Sequence, residues 1–151
     1  FMAYIFKIIG MGKKTNKILN HLTFDSYNKG YNAENEWLSK NPENISIYND
    51  DELCGFIFTT NGFINLYKLL KRAFEPQKYE VKNKKLNIFL IAGKNDPVIQ
   101  SEQKFKNLEQ FLNKLGYKNI KSKLYPDLRH EILNEKEYEQ IYEDVLEFFK
   151  Q

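Results

Sequence analysis

Leu86-Asn87-Ile88-Phe89-Leu90-Ile91-Ala92, followed at once by Gly93-Lys94-Asn95-Asp96-Pro97-Val98, is where the architecture of this chain shows first. A run of Ile, Leu and Phe without polar alternation has the pattern of a parallel strand covered on both faces. It stops in a tight polar turn that carries one carboxylate. A second run, Ile120 to Tyr125, alternates more, as a strand toward a sheet edge does, and ends in Pro126-Asp127-Leu128-Arg129-His130-Glu131. Two strand ends therefore present an acid and then an imidazole.

Between these runs, Glu102 to Leu115 places Phe105, Leu108, Phe111, Leu112 and Leu115 on one helical stripe, with Gly116 as a stop. Beyond them, Glu135–Lys150 is a helix expected to bury Tyr138, Ile141, Tyr142, Val145, Leu146 and Phe149. From residue 86 onward the order is β-α-β-α, the mark of a parallel sheet with covering helices.

The upstream half reads differently. Met2, Ile5, Phe6, Ile9, Ile18, Leu19 and Leu22 form a helical stripe, bent or broken at Gly10-Met11-Gly12. Residues 23–60 hold short apolar pieces among polar ones, with turns at Asn41-Pro42 and Asn49-Asp50-Asp51. Phe56-Ile57-Phe58 has the composition of a short strand. A helix returns from Phe63 to Phe74, with Pro76 just beyond. Residues 1–60 are thus expected to be a cap or lid, mostly helical and irregular, and 61–151 the C-terminal part of an α/β core. Two strands do not complete a doubly wound sheet, and their edges would be naked. Further strands are expected upstream of Phe1, and the chain begins with Phe rather than Met.

At 151 residues the chain has the size of one domain. Its 23 basic and 20 acidic residues leave a net charge of +3, too balanced to point to nucleic acid. The 12 Phe and 10 Tyr favour large packed side chains and an apolar pocket. One cysteine, Cys54, forms no internal disulfide, which fits a reducing, cytoplasmic setting. No apolar run approaches the ~20 residues of a membrane span, and the opening lacks the basic start and small-residue cleavage site of a signal peptide.

An Asp in an Asn-Asp-Pro turn ordinarily bonds its own backbone. Asp96 gains a second meaning from His130, one strand–helix–strand unit later. Parallel neighbours bring both loops to the same carboxyl edge of the sheet, where α/β active sites lie. There, the carboxylate would accept from a histidine Nδ1–H, fix its tautomer and stabilise the imidazolium. His130, with an ordinary pKa near 6.5, would be a general base. His21 has no acidic company in this reading and is taken as structural. Gly10-Met11-Gly12-Lys13-Lys14-Thr15 lacks the spacing and leading strand of a phosphate loop. Two His and one Cys give no metal-ligand spacing.

The chain resembles the C-terminal portion of the lysophospholipase and monoacylglycerol lipase-like, serine aminopeptidase-like branch of the α/β-hydrolases. The matching pieces are Phe24-Asp25-Ser26-Tyr27-Asn28, Trp37-Leu38-Ser39, Leu53-Cys54-Gly55-Phe56, Ala92-Gly93-Lys94-Asn95-Asp96-Pro97-Val98, Leu124-Tyr125-Pro126 and Arg129-His130-Glu131-Ile132-Leu133-Asn134-Glu135. They run in the family's order over nearly the whole length. The resemblance implies a partial α/β-hydrolase fold, a helical cap followed by the last strands, with Asp96 as triad acid and His130 as triad base. It implies that Trp37, Cys54 and Phe56 shape the cap side of an acyl pocket. The G-x-S-x-G nucleophile elbow is absent, as is the upstream loop that supplies an oxyanion donor. Ser39 lies in Trp-Leu-Ser-Lys, without elbow geometry, and Glu52 stands where the family usually has proline.

The expected function is that of the C-terminal part of a serine hydrolase cleaving lysophospholipid- or monoacylglycerol-type esters, without cofactor or metal. Its partners would be the ester substrate and the missing N-terminal half of the same fold. Alone, the chain is expected to be inactive. The alternative is a non-catalytic or degenerate relative that binds a lipid or a partner.

Overall fold

A computed structural model describes residues 1–151. The upstream half contains α1 (Met2–Phe6), α2 (Lys17–Phe24), α3 (Pro42–Asp50) and α4 (Thr60–Ala73). The downstream half is β1 (Asn87–Gly93), α5 (Glu102–Leu115), β2 (Asn119–Tyr125) and α6 (Tyr138–Phe149). Helices thus precede a small parallel sheet of two strands, in the β-α-β-α order expected from residue 86 onward.

Each boundary has a chemical cause. α1 widens over Lys7–Met11 and breaks at Gly10, whose φ of 85° is left-handed and tolerated by glycine. α2 restarts at Asn16, whose side-chain Oδ1 accepts from the Leu19 amide at 3.0 Å. α3 was not expected from the sequence. Asn41-Pro42 is its start, with the Asn41 side chain accepting from the Glu43 amide at 3.2 Å and Pro42 in the first turn. Thr59 and Ser101 cap α4 and α5 through the Gly62 and Lys104 amides at 3.1 and 3.2 Å. Phe56-Ile57-Phe58 forms no strand. Only an antiparallel bridge, Thr15 to Thr59, forms there, and Phe58 turns inward against the first core instead.

That first core is Ala3, Leu19, Phe63 and Ile64, with Phe6, Phe24 and Phe58 packed around it, so it joins α1 and α2 to α4. The second is Tyr125, Leu128, Ile132 and Ile141, with Ile91 and Val145 against it. It ties β1, β2 and α6 to the loop that carries His130.

β1 and β2 pair in parallel, in register from Asn87 opposite Asn119 to Gly93 opposite Tyr125. Side-chain alternation then divides the faces. On one, Phe89 stacks on Phe148 at 5.3 Å and Tyr125 donates to Asp144 of α6 at 2.7 Å. On the other, Ser122 donates to Glu109 of α5 at 2.6 Å. The last helix buries less than its sequence led us to expect. Ile141 is enclosed and Val145 partly so, but Tyr138, Tyr142, Leu146 and Phe149 are exposed, because two strands cannot cover so wide an apolar arc.

Candidate active site

β1 and β2 end side by side, and their loops are laced together. The Lys94 amide donates to Tyr125 O and the Asn95 amide to Leu128 O, both at 2.9 Å. Gly93 makes this approach possible. A β-carbon there would lie 2.1 Å from Arg129 O and 2.3 Å from Leu128 O, so the chain can pass only over a glycine.

Asp96 does two things at once. Its Oδ1 accepts from the Val98 amide at 2.8 Å, capping the short helical turn Pro97–Ile99. Its Oδ2 lies 3.0 Å from His130 Nδ1. The ordinary turn role and the histidine contact are therefore compatible, one on each oxygen. The Asp96 side chain is 6% exposed and that of His130 40%. The hydrogen bond that His130 donates to Asp96 raises the His130 pKa above its ordinary value, while burial pulls against it and the Asp96 and Glu131 charges add to the rise. With Nδ1 bound to the carboxylate, Nε2 of this partly exposed ring makes no hydrogen bond within the chain. No hydroxyl or thiol of the chain bonds it.

Trp37 forms the adjoining wall. Its ring centroid is 5.1 Å from that of His130 and 5.0 Å from that of Tyr27. The indole also lines a cavity of about 360 Å³ whose other walls include Cys54 and Phe56, with Phe24, Tyr48 and Phe58. The structure thus gathers all three expected cap residues around one hollow, and Trp37 touches both it and the imidazole. Cys54 is half-buried; burial, and after it Asp51, push its thiol up, away from the reactive thiolate. A more open hollow of about 490 Å³ lies between α3 and α6 and contains neither Asp96 nor His130.

Three features escaped the sequence. His21 has acidic company: its Nδ1 pairs with Asp25 one helical turn on, both side chains being exposed. Helical i, i+4 spacing was the available signal. Tyr31 places its ring 4.7 Å under the Arg129 guanidinium and donates to Asn95 O at 3.3 Å, touching both loops. Glu135 is buried and accepts from the Ser39 hydroxyl at 2.9 Å and the Lys40 amide at 3.0 Å. Ser39 is thereby committed to structure. The sequence offered no signal for that contact, which joins residues 96 positions apart.

No three His, Cys, Asp or Glu side chains come together as a metal-ligand set, and no helix is long and apolar enough to cross a membrane.

An acid and an imidazole bonded across the carboxyl ends of adjacent parallel strands define an α/β-hydrolase-type arrangement. The sequence matches the family profile of serine aminopeptidase, S33, over residues 3–137, and the chain belongs to that family. No curated protein matches it. Among solved structures, it is similar to a highly thermostable carboxyl esterase from Bacillus coagulans in complex with glycerol, with a TM-score of 0.86 and 20% identity. The match covers 99% of this chain and 50% of the esterase. A lipase in an open form gives 0.79 and 22%, covering 98% of this chain and 50% of that one. The monoacylglycerol lipase of Paleococcus ferrophilus gives 0.61 and 18%, covering 92% and 54%. At such identities the likeness is one of fold. The chain spans about half the length of each of these proteins.

Proposed function

We propose that this chain is the C-terminal part of a serine hydrolase that cleaves carboxylic esters of lysophospholipid or monoacylglycerol type. The observation that carries it is the 3.0 Å contact between Asp96 Oδ2 and His130 Nδ1, with Nε2 unbonded and the ring packed against Trp37. In this reading residues 1–60 serve as the cap and 61–151 as part of the core. A serine from the other half of the fold attacks the acyl carbonyl while His130 Nε2 takes its proton. The imidazolium, held by Asp96, then returns that proton to the leaving alcohol, and water regenerates the serine by the same route. Trp37, Cys54 and Phe56 line the space for the acyl chain, and no metal or cofactor takes part. The single cysteine fits a cytoplasmic setting.

The test is complementation. The chain alone should not label with a fluorophosphonate probe. Joined to a complementary half bearing a G-x-S-x-G turn, it should label and hydrolyse a short-chain nitrophenyl ester. His130→Ala should then cut the rate by about 10⁴-fold. Labelling of the lone chain, or a full rate in the variant, would refute the proposal.

The second reading, a non-catalytic lipid-binding module, is favoured by a cavity walled by this chain's own residues. A complemented protein without turnover, together with a lone chain that binds monoacylglycerol, would establish that alternative.

A further inference from the structure

Glu135 is 1% exposed and takes part in no ion pair. A carboxylate enclosed without a cation is costly unless donors surround it. Here the donors come from just two places. Ser39 Oγ donates to Oε2 at 2.9 Å, and the Lys40 amide is shared between both oxygens at 3.0 Å. The Arg129 amide donates to Oε1 at 3.2 Å. The first two follow Trp37 in sequence and the third precedes His130.

Around this carboxylate the two stretches are stitched together. The Arg129 guanidinium donates to Glu36 O and, at 2.9 Å, to Ser39 O. The His130 amide donates to Trp37 O at 3.4 Å and the Glu131 amide to Leu38 O at 2.7 Å. Glu135 is not needed in this form to start α6, because the Tyr138 amide bonds its backbone oxygen at 3.2 Å, not its side chain. Apolar packing would fill the same space at less cost in desolvation.

The geometry points to Glu135 as a positioning residue. Its carboxylate clamps residues 36–40 to residues 129–131, so that the Trp37 indole lies against the His130 ring and Nδ1 meets Asp96. The inference deepens the hydrolase reading and rests on it for its catalytic meaning, yet the ring's position can be measured without any reaction.

Trp37 is the sole tryptophan and His130 one of two histidines, so both rings can be followed in the intact chain. Asp96 and Glu131 are the charges that act on His130. Tryptophan emission should fall as His130 protonates, because an adjacent imidazolium quenches indole. Proton NMR of the two histidines should give the same midpoint, above the ordinary value. In Glu135→Gln, where an amide replaces one acceptor oxygen, and in the milder Ser39→Ala, that midpoint should drop toward about 6.5 and the pH-dependent quenching should shrink. His21→Ala should leave both unchanged. Folded variants, judged by circular dichroism, with unaltered midpoint and quenching would overturn the clamp; if Glu135→Gln does not fold, Ser39→Ala decides. A shifted midpoint in the variants, where the unaltered complemented protein hydrolyses no ester, would support the clamp and refute the hydrolase reading.

Discussion

The α-carbon of Gly93 faces the carbonyl of Arg129 so closely that an added methyl would stand 2.1 Å from its oxygen. The obstacle is backbone from the loop that delivers His130, and backbone cannot swing aside as a long side chain can. Gly93→Ala should therefore push the two strand-end loops apart. The expected cost is about 1–3 kcal/mol, as for overpacking elsewhere, with the His130 midpoint falling as Asp96 recedes. Urea denaturation together with histidine NMR checks both effects; a variant of unchanged stability and unchanged midpoint would contradict the packing described.

The Asp96–His130 bond also fixes a pH dependence. Hydrogen bonding to Asp96 raises the histidine's folded pKa above its unfolded value of about 6.5. The folded state therefore holds the proton more tightly. The resulting stabilisation is complete below the unfolded pKa and is lost as the pH rises through the folded one. Denaturation midpoints of the unaltered chain and of Asp96→Asn should differ most in mildly acid buffer and converge on the alkaline side. A gap that widens with pH would reverse the assignment.

Two core truncations should part company in what they disturb. Phe63, fully enclosed among Ala3, Leu19 and Ile64, should cost about 3–5 kcal/mol as Phe63→Ala. Ile141, equally enclosed against Leu128 and Ile132, should cost about 2–5 kcal/mol as Ile141→Ala. Only the second touches the loop around His130. The histidine titration should move with Ile141→Ala and stay fixed with Phe63→Ala.

Asn16 offers a smaller, local test. Its Oδ1 caps α2 and its Nδ2 donates to the buried Thr60 hydroxyl at 3.1 Å. Asn16→Ala should lose about 0.5–2 kcal/mol for the cap, and somewhat more because Thr60 is left without its partner. Asn16→Asp, which keeps an acceptor for both groups, should recover most of the loss in the same denaturation assay.

The strands, their parallel order and the helix between them were legible because continuous apolar runs and 3.6-residue stripes are local signals. Asp96 and His130 were legible for a related reason: each closes a recognisable strand, so topology brings them together. Elsewhere local signals misled. Asn41-Pro42 serves turns and helix starts alike, and α3 follows it with a single buried residue, Ile45, too little to make a stripe. Phe56-Ile57-Phe58 has strand-forming residues but no neighbouring strand. The apolar arc of α6 described a surface larger than two strands cover. Glu135 read as the first residue of the last helix, one charge among many, whereas that helix begins at Tyr138. Only the meeting of residues 39, 129 and 135 shows that this carboxylate is interior, and no pattern within a short window reports a contact of that span.

The sheet of two strands leaves one rail of each without a mate. Amides and carbonyls along such a rail template any extended segment that drifts alongside, whether from a cognate sequence or from a misfolded copy. Solubility on expression should therefore hinge on dilution and on what is synthesised beside this polypeptide, with turbidity growing steeply as its concentration rises.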